Sequence, residues 1–425
     1  MANPRKVAVS ALLKIEKDGA YSNIALSEFL KTEDLKPQDK ALVSALVYGV
    51  LDRKITLDYV LSQFLKTPVK KTAPFTLEVL RTALYQIMYM DKIPDSAAVN
   101  EGVKIIKNSK ESRNSGFVNG VLRSILRSEI TLPMGNSAQE ISVRYSCPIW
   151  IVKGFIEDYG EENTVKFLEE SLKAPPLTIR VNTVLTTTDT VKKELENSKI
   201  EFCDGMGKNS LDILSGIDIS KNELYLKGYI YAQDLASQKA VELLSPKAGE
   251  RVLDMCAAPG GKTFTMAQMM GNKGEIIACD LHPHRTELIC KSAKRLGLSI
   301  IKTMVADATE YDETLGKFDC ILCDVPCSGL GVLRRKPDIK YNKENDFNSL
   351  QETQYKILCN AVRYLKKGGR ILYSTCTLRK EENEKLVIRF QKEYNDFCKS
   401  AEHTFMPHID GTDGFYAALL ESREK

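Results

Sequence analysis

The stretch Val252–Thr263, VLDMCAAPGGKT, constrains this chain more than any other. An apolar strand ending on Asp254 breaks into a turn of small residues, Cys256, Ala257, Ala258, Pro259, Gly260 and Gly261, and a helix is expected from Lys262 to Met270. Strand, glycine turn and helix start form a ligand cradle: the glycines admit close backbone approach and the helix start offers free N–H groups. Asp280, at the end of EIIACD, stands about 20 residues beyond the turn, the interval at which an acidic residue holds a ribose hydroxyl pair. Three ligands compete for the cradle. A nucleoside triphosphate fits the tail Gly261-Lys262-Thr263, but Cys256 occupies the place of the first glycine of G-x-x-x-x-G-K-T. A dinucleotide would need G-x-G-x-x-G, which is absent. The third is S-adenosylmethionine, an adenosine ligand without phosphates.

From Gln233 onward, apolar strands alternate with helices, which predicts a doubly wound, mostly parallel sheet. The expected strands are Val252–Cys256, Glu275–Asp280, Ile300–Ala306, Phe318–Asp324, Arg370–Cys376 and Gly414–Leu420. Ligands bind such sheets at the carboxyl ends of the strands. Asp254, Asp280, Asp307, Asp324 and Cys376 all fall at those ends, and one acidic strand end after another is hard to assign to solvation alone.

Two cysteines sit where a nucleophile would be useful. FDCILCDVPCSG places Asp324, Pro326 and Cys327 just past one strand, and GRILYSTCT places Cys376 just past another. Pro326-Cys327 is the kind of Pro-Cys pair with which DNA cytosine methyltransferases attack their base, so spacing alone does not choose between the two sulfurs. A zinc site over Cys320, Cys323 and Cys327 is disfavoured, because the first two lie inside an apolar strand and no second Cys/His pair has ligand spacing; no metal is expected. Cys279 and Cys290 read as small buried hydrophobes. His282 and His284 flank a proline after Asp280, as in a loop.

Helix follows helix over the first part of the chain, with Val7, Ala11, Leu12 and Ile15 on one face and Leu42, Leu46, Val47 and Val50 on another. Basic residues recur there, among them Arg53, Lys54, Lys70, Lys104, Arg113 and Arg123, as solvated faces or as a surface for RNA. PMGNSAQ at Pro133–Gln139 reads as a linker. Then come a helix at Tyr145–Tyr159 carrying Trp150, a strand at Leu177–Thr183, a helix at Thr186–Asn197, a strand-rich stretch at Ile200–Leu214 and a strand at Tyr225–Tyr231. Arg180 and Asn182 share one strand face, solvated or toward RNA. The expected fold class is multidomain: an all-α helical bundle over 1–132, a small α+β module over 140–232 and an α/β Rossmann-like domain over 233–425. A net charge of +4 leaves any nucleic-acid surface to local clustering. An odd count of 11 cysteines, many in apolar strands, points to a reducing cytosol. No signal sequence or membrane span is read, and a monomer is expected.

The first 130 residues or so resemble the bacterial RNA-binding antitermination-factor domain, through ALVSALVYGV, PDSAAVNEGV and GFVNGVLR. The run from about Gly228 to Leu420 resembles the RNA 5-methylcytosine methyltransferases of the Sun/nucleolar-protein family, through DMCAAPGGKT, CDVPCSG, YSTCT and DGTDGF. The resemblance implies transfer of a methyl group from S-adenosylmethionine to carbon 5 of a cytidine in small-subunit rRNA, naked or in an early assembly intermediate. It implies a cofactor site over Cys256–Lys262, Asp280, Asp307 and Asp324, and Cys376 as the nucleophile. Asp324 would stabilise the covalent adduct and Cys327 would help to release it. Arg334, Arg335, Lys336 and Lys340, after the Cys327 turn, are expected to grip phosphates. The same chemistry on tRNA or DNA, or a non-catalytic RNA-binding factor, are the competing readings.

Overall fold

The computed structural model describes residues 2–18, 22–342 and 347–423. It divides into two compact units, one of Met1–Lys173 with Leu333–Asn342 and one of Ala174–Val332 with Lys343–Lys425.

The first unit is helical: α1 (Pro4–Asp18), α2 (Ser22–Thr32), α3 (Pro37–Phe64), α4 (Pro74–Tyr89), α5 (Asp95–Lys107), α6 (Ser115–Leu126), α7 (Ala138–Tyr145) and α8 (Ile149–Ser171). Prolines open α3 and α4, where their fixed φ suits the first turn. The apolar faces read from the sequence are inside: Val7, Ala11, Leu12, Leu46, Val47 and Val50 are buried. Ser137 and Glu140 form a capping box that starts α7. α8 begins later than expected because Pro148 is its N-cap, and it runs on past Gly160, whose φ of 77° marks a kink. Several basic residues of the bundle are engaged within it. Lys54 pairs with Glu16, Arg53 lies over the Tyr89 ring, and buried Arg81 forks onto Asp58 with both bonds at 2.7 Å. The segment Leu333–Asn342 belongs to this unit. Its Lys340 is buried and donates to the backbone oxygen of Asp52 at 2.8 Å and to its carboxylate at 3.0 Å. Lys340 is therefore a structural ion pair and not the phosphate contact its sequence position suggested.

The second unit starts with a four-stranded antiparallel sheet in the order β2-β3-β1-β4. Its elements are β1 (Leu177–Val181), α9 (Thr188–Asn197), β2 (Phe202–Asp204), β3 (Ser210–Ile213), α10 (Glu223–Leu226) and β4 (Ile230–Ala232). The strand expected at Tyr225–Tyr231 begins in helix and becomes strand only at Ile230: the Asn222 side chain caps α10, and Gly228, at φ 76°, breaks the chain before β4. Next come α11 (Leu235–Leu244), β5 (Arg251–Asp254), α12 (Gly261–Met269), β6 (Glu275–Asp280), α13 (Pro283–Arg295), β7 (Ile301–Val305), β8 (Phe318–Asp324), α14 (Asn348–Tyr364), β9 (Leu365–Thr375), α15 (Glu384–Glu393), β10 (Phe397–Phe405), α16 (Pro407–Asp410) and β11 (Phe415–Ser422). These strands make a seven-stranded Rossmann-like sheet in the order β10-β11-β9-β8-β5-β6-β7. β9, β8, β5, β6 and β7 are parallel, and β11 runs antiparallel to β9. Separate buried clusters cover the two faces of the sheet, one around Val252, Ile276 and Leu322 and one around Leu253, Ile321 and Tyr373.

Arg180 and Asn182 correct a sequence expectation. Both are buried, at 4% and 0% exposure. Arg180 donates to Gln238 at 2.9 Å and to Gln268 at 3.3 Å. Asn182 donates to the carbonyl oxygens of Gly228 at 2.9 Å and Leu296 at 2.8 Å. This strand face is turned toward the larger sheet's helices, not toward water or RNA. Asn182→Ala leaves two buried carbonyls unpaired, and urea unfolding is expected to show a loss of roughly 1–3 kcal/mol.

Candidate active site

The cradle lies at the carboxyl ends of β5 and β8, adjacent parallel strands where the sheet order reverses. Asp254 closes β5 and is fully buried. Its Oδ2 accepts from the Thr263 hydroxyl at 2.6 Å, while its Oδ1 has no hydrogen-bond partner. Burial pushes the Asp254 carboxyl up to about 7, against the lowering effect of the Thr263 bond. The turn behind it depends on Gly260. Its φ is 107°, and a Cβ there would stand 2.3 Å from the Phe264 ring. A cavity of about 200 Å³ opens above, lined by Asp254, Cys256, Ala257, Ala258, Pro259, Gly261, Lys262 and Asp324, with Ala232, Gln233, Asp234 and Ser237.

Most of the predicted cradle residues line this cavity. Gly260 shapes it from behind. Asp280, nearly buried at the end of β6, accepts from the Ala258 N–H at 3.3 Å and the His282 N–H at 3.2 Å, and pairs with Arg285 at 3.3 Å. Asp307 stands apart. Its carboxylate accepts from the Thr309 N–H at 2.8 Å and hydroxyl at 2.7 Å, which lowers its pKa, and it lines a separate small crevice. The lining residues from the N-terminal side, Gln233, Asp234 and Ser237, were not picked out from sequence. Their only signal there is Asp234, which caps α11 by accepting from Ala236 N–H at 2.8 Å.

The two candidate sulfurs meet. β8 and β9 pair in parallel with Asp324 opposite Ser374. The turns that follow bring the Cys327 and Cys376 sulfurs to 3.2 Å. Ser328 and Thr377 hydroxyls bond at 2.8 Å, and the Gly331 N–H donates to the Cys376 carbonyl at 3.0 Å. Gly331 in turn accepts from the Gly414 N–H at 2.9 Å. A Cβ on Gly331 would meet the Gly414 oxygen at 2.0 Å, so only glycine fits there. Asp324 links sulfurs and cradle: Lys262 donates to its Oδ2 at 2.8 Å and Ser374 to its Oδ1 at 2.8 Å. Burial works against the Lys262 charge, but the facing Asp324 carboxylate outweighs it and raises the ammonium's pKa, with a contribution from Cys376. The Cys327 thiol is held well above its ordinary value by its hydrogen bond with Cys376, then by burial, then by the Cys376 and Glu382 charges.

Other candidates separate from this group. Cys320 and Cys323 are fully buried in β8 and face opposite clusters, so they cannot share an ion. Cys279 is buried and Cys290 half-buried. Arg334 and Arg335 are half-buried and Lys336 is exposed, on the segment that belongs to the helical unit.

The family described as 16S rRNA methyltransferase RsmB/F matches residues 241–421. The NusB family matches 2–127, and the RsmF/B-like ferredoxin-like domain matches 147–219. A probable ribosomal RNA small subunit methyltransferase B of Bacillus subtilis (strain 168) is 37% identical over 99% of this chain and 98% of the relative. The corresponding probable enzyme of Synechocystis sp. is 32% identical over 99% of this chain and 100% of its own length. The solved structure of PH0851 superposes with a TM-score of 0.82 at 27% identity, covering 100% of this chain and 99% of that one. With a relative this similar end to end, all three models in chain order and the paired strand-end cysteines in place, the chain belongs to the ribosomal RNA small subunit methyltransferase B family, the S-adenosylmethionine-dependent rRNA methyltransferases.

Proposed function

We propose that this methyltransferase acts on carbon 5 of a cytidine in small-subunit rRNA, through a transient bond between Cys376 and the base. The observation that carries the reading is the 3.2 Å contact of two strand-end sulfurs next to an Asp324–Lys262 pair that lines the cavity. S-adenosylmethionine supplies the electrophilic methyl group when bound. Asp254, the turn Cys256–Lys262 and Asp280 would hold it. The fit rests on Asp254, whose unpartnered buried Oδ1 is an acceptor waiting for a ligand donor. A triphosphate fits poorly, because the one lysine of the turn is taken by Asp324.

Carbon 5 of cytosine is a weak nucleophile. The Cys376 thiolate adds at carbon 6, forming the S–C6 bond and moving the C5=C6 electrons so that carbon 5 can attack the methyl group. The Lys262 ammonium favours that thiolate. Asp324, fixed by Lys262 and Ser374, would hydrogen-bond the N3/N4 edge of the ring and stabilise the adduct electronically. For release, a solvent base takes the carbon-5 proton and the C6–S electron pair returns to Cys376. The Cys327 thiol donates its S–H to that departing sulfur. A base inside a duplex is out of reach, so the target is single-stranded or flipped. Arg334, Arg335 and Lys336 are the proposed phosphate contacts. We place the protein in the cytoplasm as a monomer acting on naked rRNA or an early assembly intermediate; among the described residues no helix is long and apolar enough to cross a membrane.

Two measurements test this. With labelled rRNA on denaturing gels, Cys376→Ala is expected to give neither methyl transfer nor a covalent protein–RNA band. Cys327→Ala is expected to accumulate that band while turnover falls by roughly 10²-fold or more. The opposite pattern would exchange the roles of the two sulfurs. The second concerns pH. Asp254 carries its proton below about 7, and its ionised form is the one that attracts a cationic ligand. Calorimetric affinity for S-adenosylmethionine should rise as pH increases through that value, and Asp254→Asn should flatten the profile and weaken binding.

A further inference from the structure

The two cysteine turns share one anchor, the dipeptide that leads into α15. Glu382 and Asn383 are both fully buried. Glu382 Oε2 accepts from the Ser328 N–H at 2.9 Å and from Gln354 Nε2 at 2.9 Å, and the same Gln354 nitrogen donates to the Pro326 carbonyl at 2.9 Å. Cys327 is thereby bracketed on both sides. Asn383 does the same for the other turn: it accepts from the Thr375 hydroxyl at 2.6 Å and donates to the Thr377 carbonyl at 2.9 Å, bracketing Cys376.

The two anchors differ in charge. An amide at position 382 would accept the same two hydrogen bonds, so geometry alone does not call for a carboxylate. Burying one is costly unless it is closely paired. Here the facing cation, Arg379, stands 3.7 Å from Oε1, too far for a hydrogen bond, and Oε1 has no hydrogen-bond partner. The charge is thus left to act on its surroundings. Among the described residues, the titratable groups that act on Cys327 are Cys376 from the neighbouring turn, Tyr373 of β9 and Glu382; Arg379 stands by Glu382 and, at 4.0 Å, by Glu381, and Lys262 faces Cys376.

We propose that Glu382 is a positioning residue that holds the Cys327 turn beside the Cys376 turn and sets its buried charge next to the Cys327 sulfur. This deepens the reading above and rests on it, since a thiol is the form that can donate to the departing Cys376 sulfur. Removing the charge should make Cys327 easier to ionise; removing its counter-cation should make it harder.

The test is the pH dependence of iodoacetamide alkylation at Cys327, read by peptide mass spectrometry in the full-length Cys376→Ser protein. Glu382→Gln is expected to move the midpoint down by about one pH unit, a roughly tenfold faster alkylation at pH 8. Glu382→Asp is expected to stay near the parent profile. Arg379→Gln, which keeps the Glu382 carboxylate, is expected to move the midpoint up, and it remains a test if Glu382→Gln fails to fold. An unchanged midpoint in folded Glu382→Gln, or a downward shift in Arg379→Gln, overturns the proposal. In the protein with both cysteines, the pH at which release of the covalent RNA adduct slows should also move down by about one unit in Glu382→Gln. A shifted alkylation profile with an unshifted release profile would uphold the electrostatic role of Glu382 and sink the assignment of Cys327 to release.

Discussion

The site depends on the register of two neighbouring parallel strands. With Asp324 opposite Ser374 on β8 and β9, the turns that leave those strands start side by side, and a cysteine a few residues along each one meets the other. The contact survives only because the backbones close on each other. The Gly331 N–H reaches the Cys376 carbonyl, and Gly414, just ahead of β11, packs against Gly331 without side chains between them. β11 runs antiparallel, so its first residues lie at the same end of the sheet as the last residues of β9. Parallel pairing sets the sulfurs, and one antiparallel strand supplies the wedge behind them.

Strand order does the rest. β5 lies between β8 and β6, so the sheet's winding reverses there and a crevice forms over the ends of β5 and β8. The glycine turn fills one side of it and the cysteine turns follow from the other. Lys262 joins the two: it belongs to the turn by sequence and to Asp324 by its ion pair. A lysine that resembles the end of a phosphate loop is thereby committed to holding the Asp324 carboxylate.

Much of this was legible in the sequence, and the exceptions share a cause. The turn Cys256–Lys262, the acidic strand ends and both cysteines stand beside glycines, prolines and apolar runs, which carry their geometry locally. Arg180, Asn182 and Lys340 failed as surface residues because what buries each of them is distant in the chain. Asn182 is tied to Leu296 and Lys340 to Asp52, pairings that no period or spacing encodes. Glu382 is hidden for the same reason: in the charged run KEENEK it looks solvated, yet its partners Ser328 and Gln354 come from elsewhere. The edge strand β10 was not anticipated either, since FCKSAEHTF is polar over most of its length and its pairing is with β11 alone. Local patterns report where the backbone must bend; long-range partners decide which polar groups go inside.

The charges around the cavity suit a ligand that changes charge when it reacts. Its lining carries the carboxyl groups of Asp234, Asp254 and Asp324 against one ammonium, that of Lys262, which is already paired. A low-dielectric cavity with an excess of acidic groups attracts a cation more strongly than its neutral counterpart. Loss of the methyl group turns a sulfonium into a thioether and removes that positive charge, so residues that favour the reactant in the proposed site would hold the product less firmly. Asp254 sharpens the contrast. Because burial first, and then the Asp324 charge, raises its pKa, a cation nearby draws its proton away, and departure of the charge lets the proton return. On the proposed assignment of the cradle, its preference is coupled to the reaction: the acidic lining would be at its most negative with the charged ligand in place and would relax toward neutrality once the methyl has been transferred.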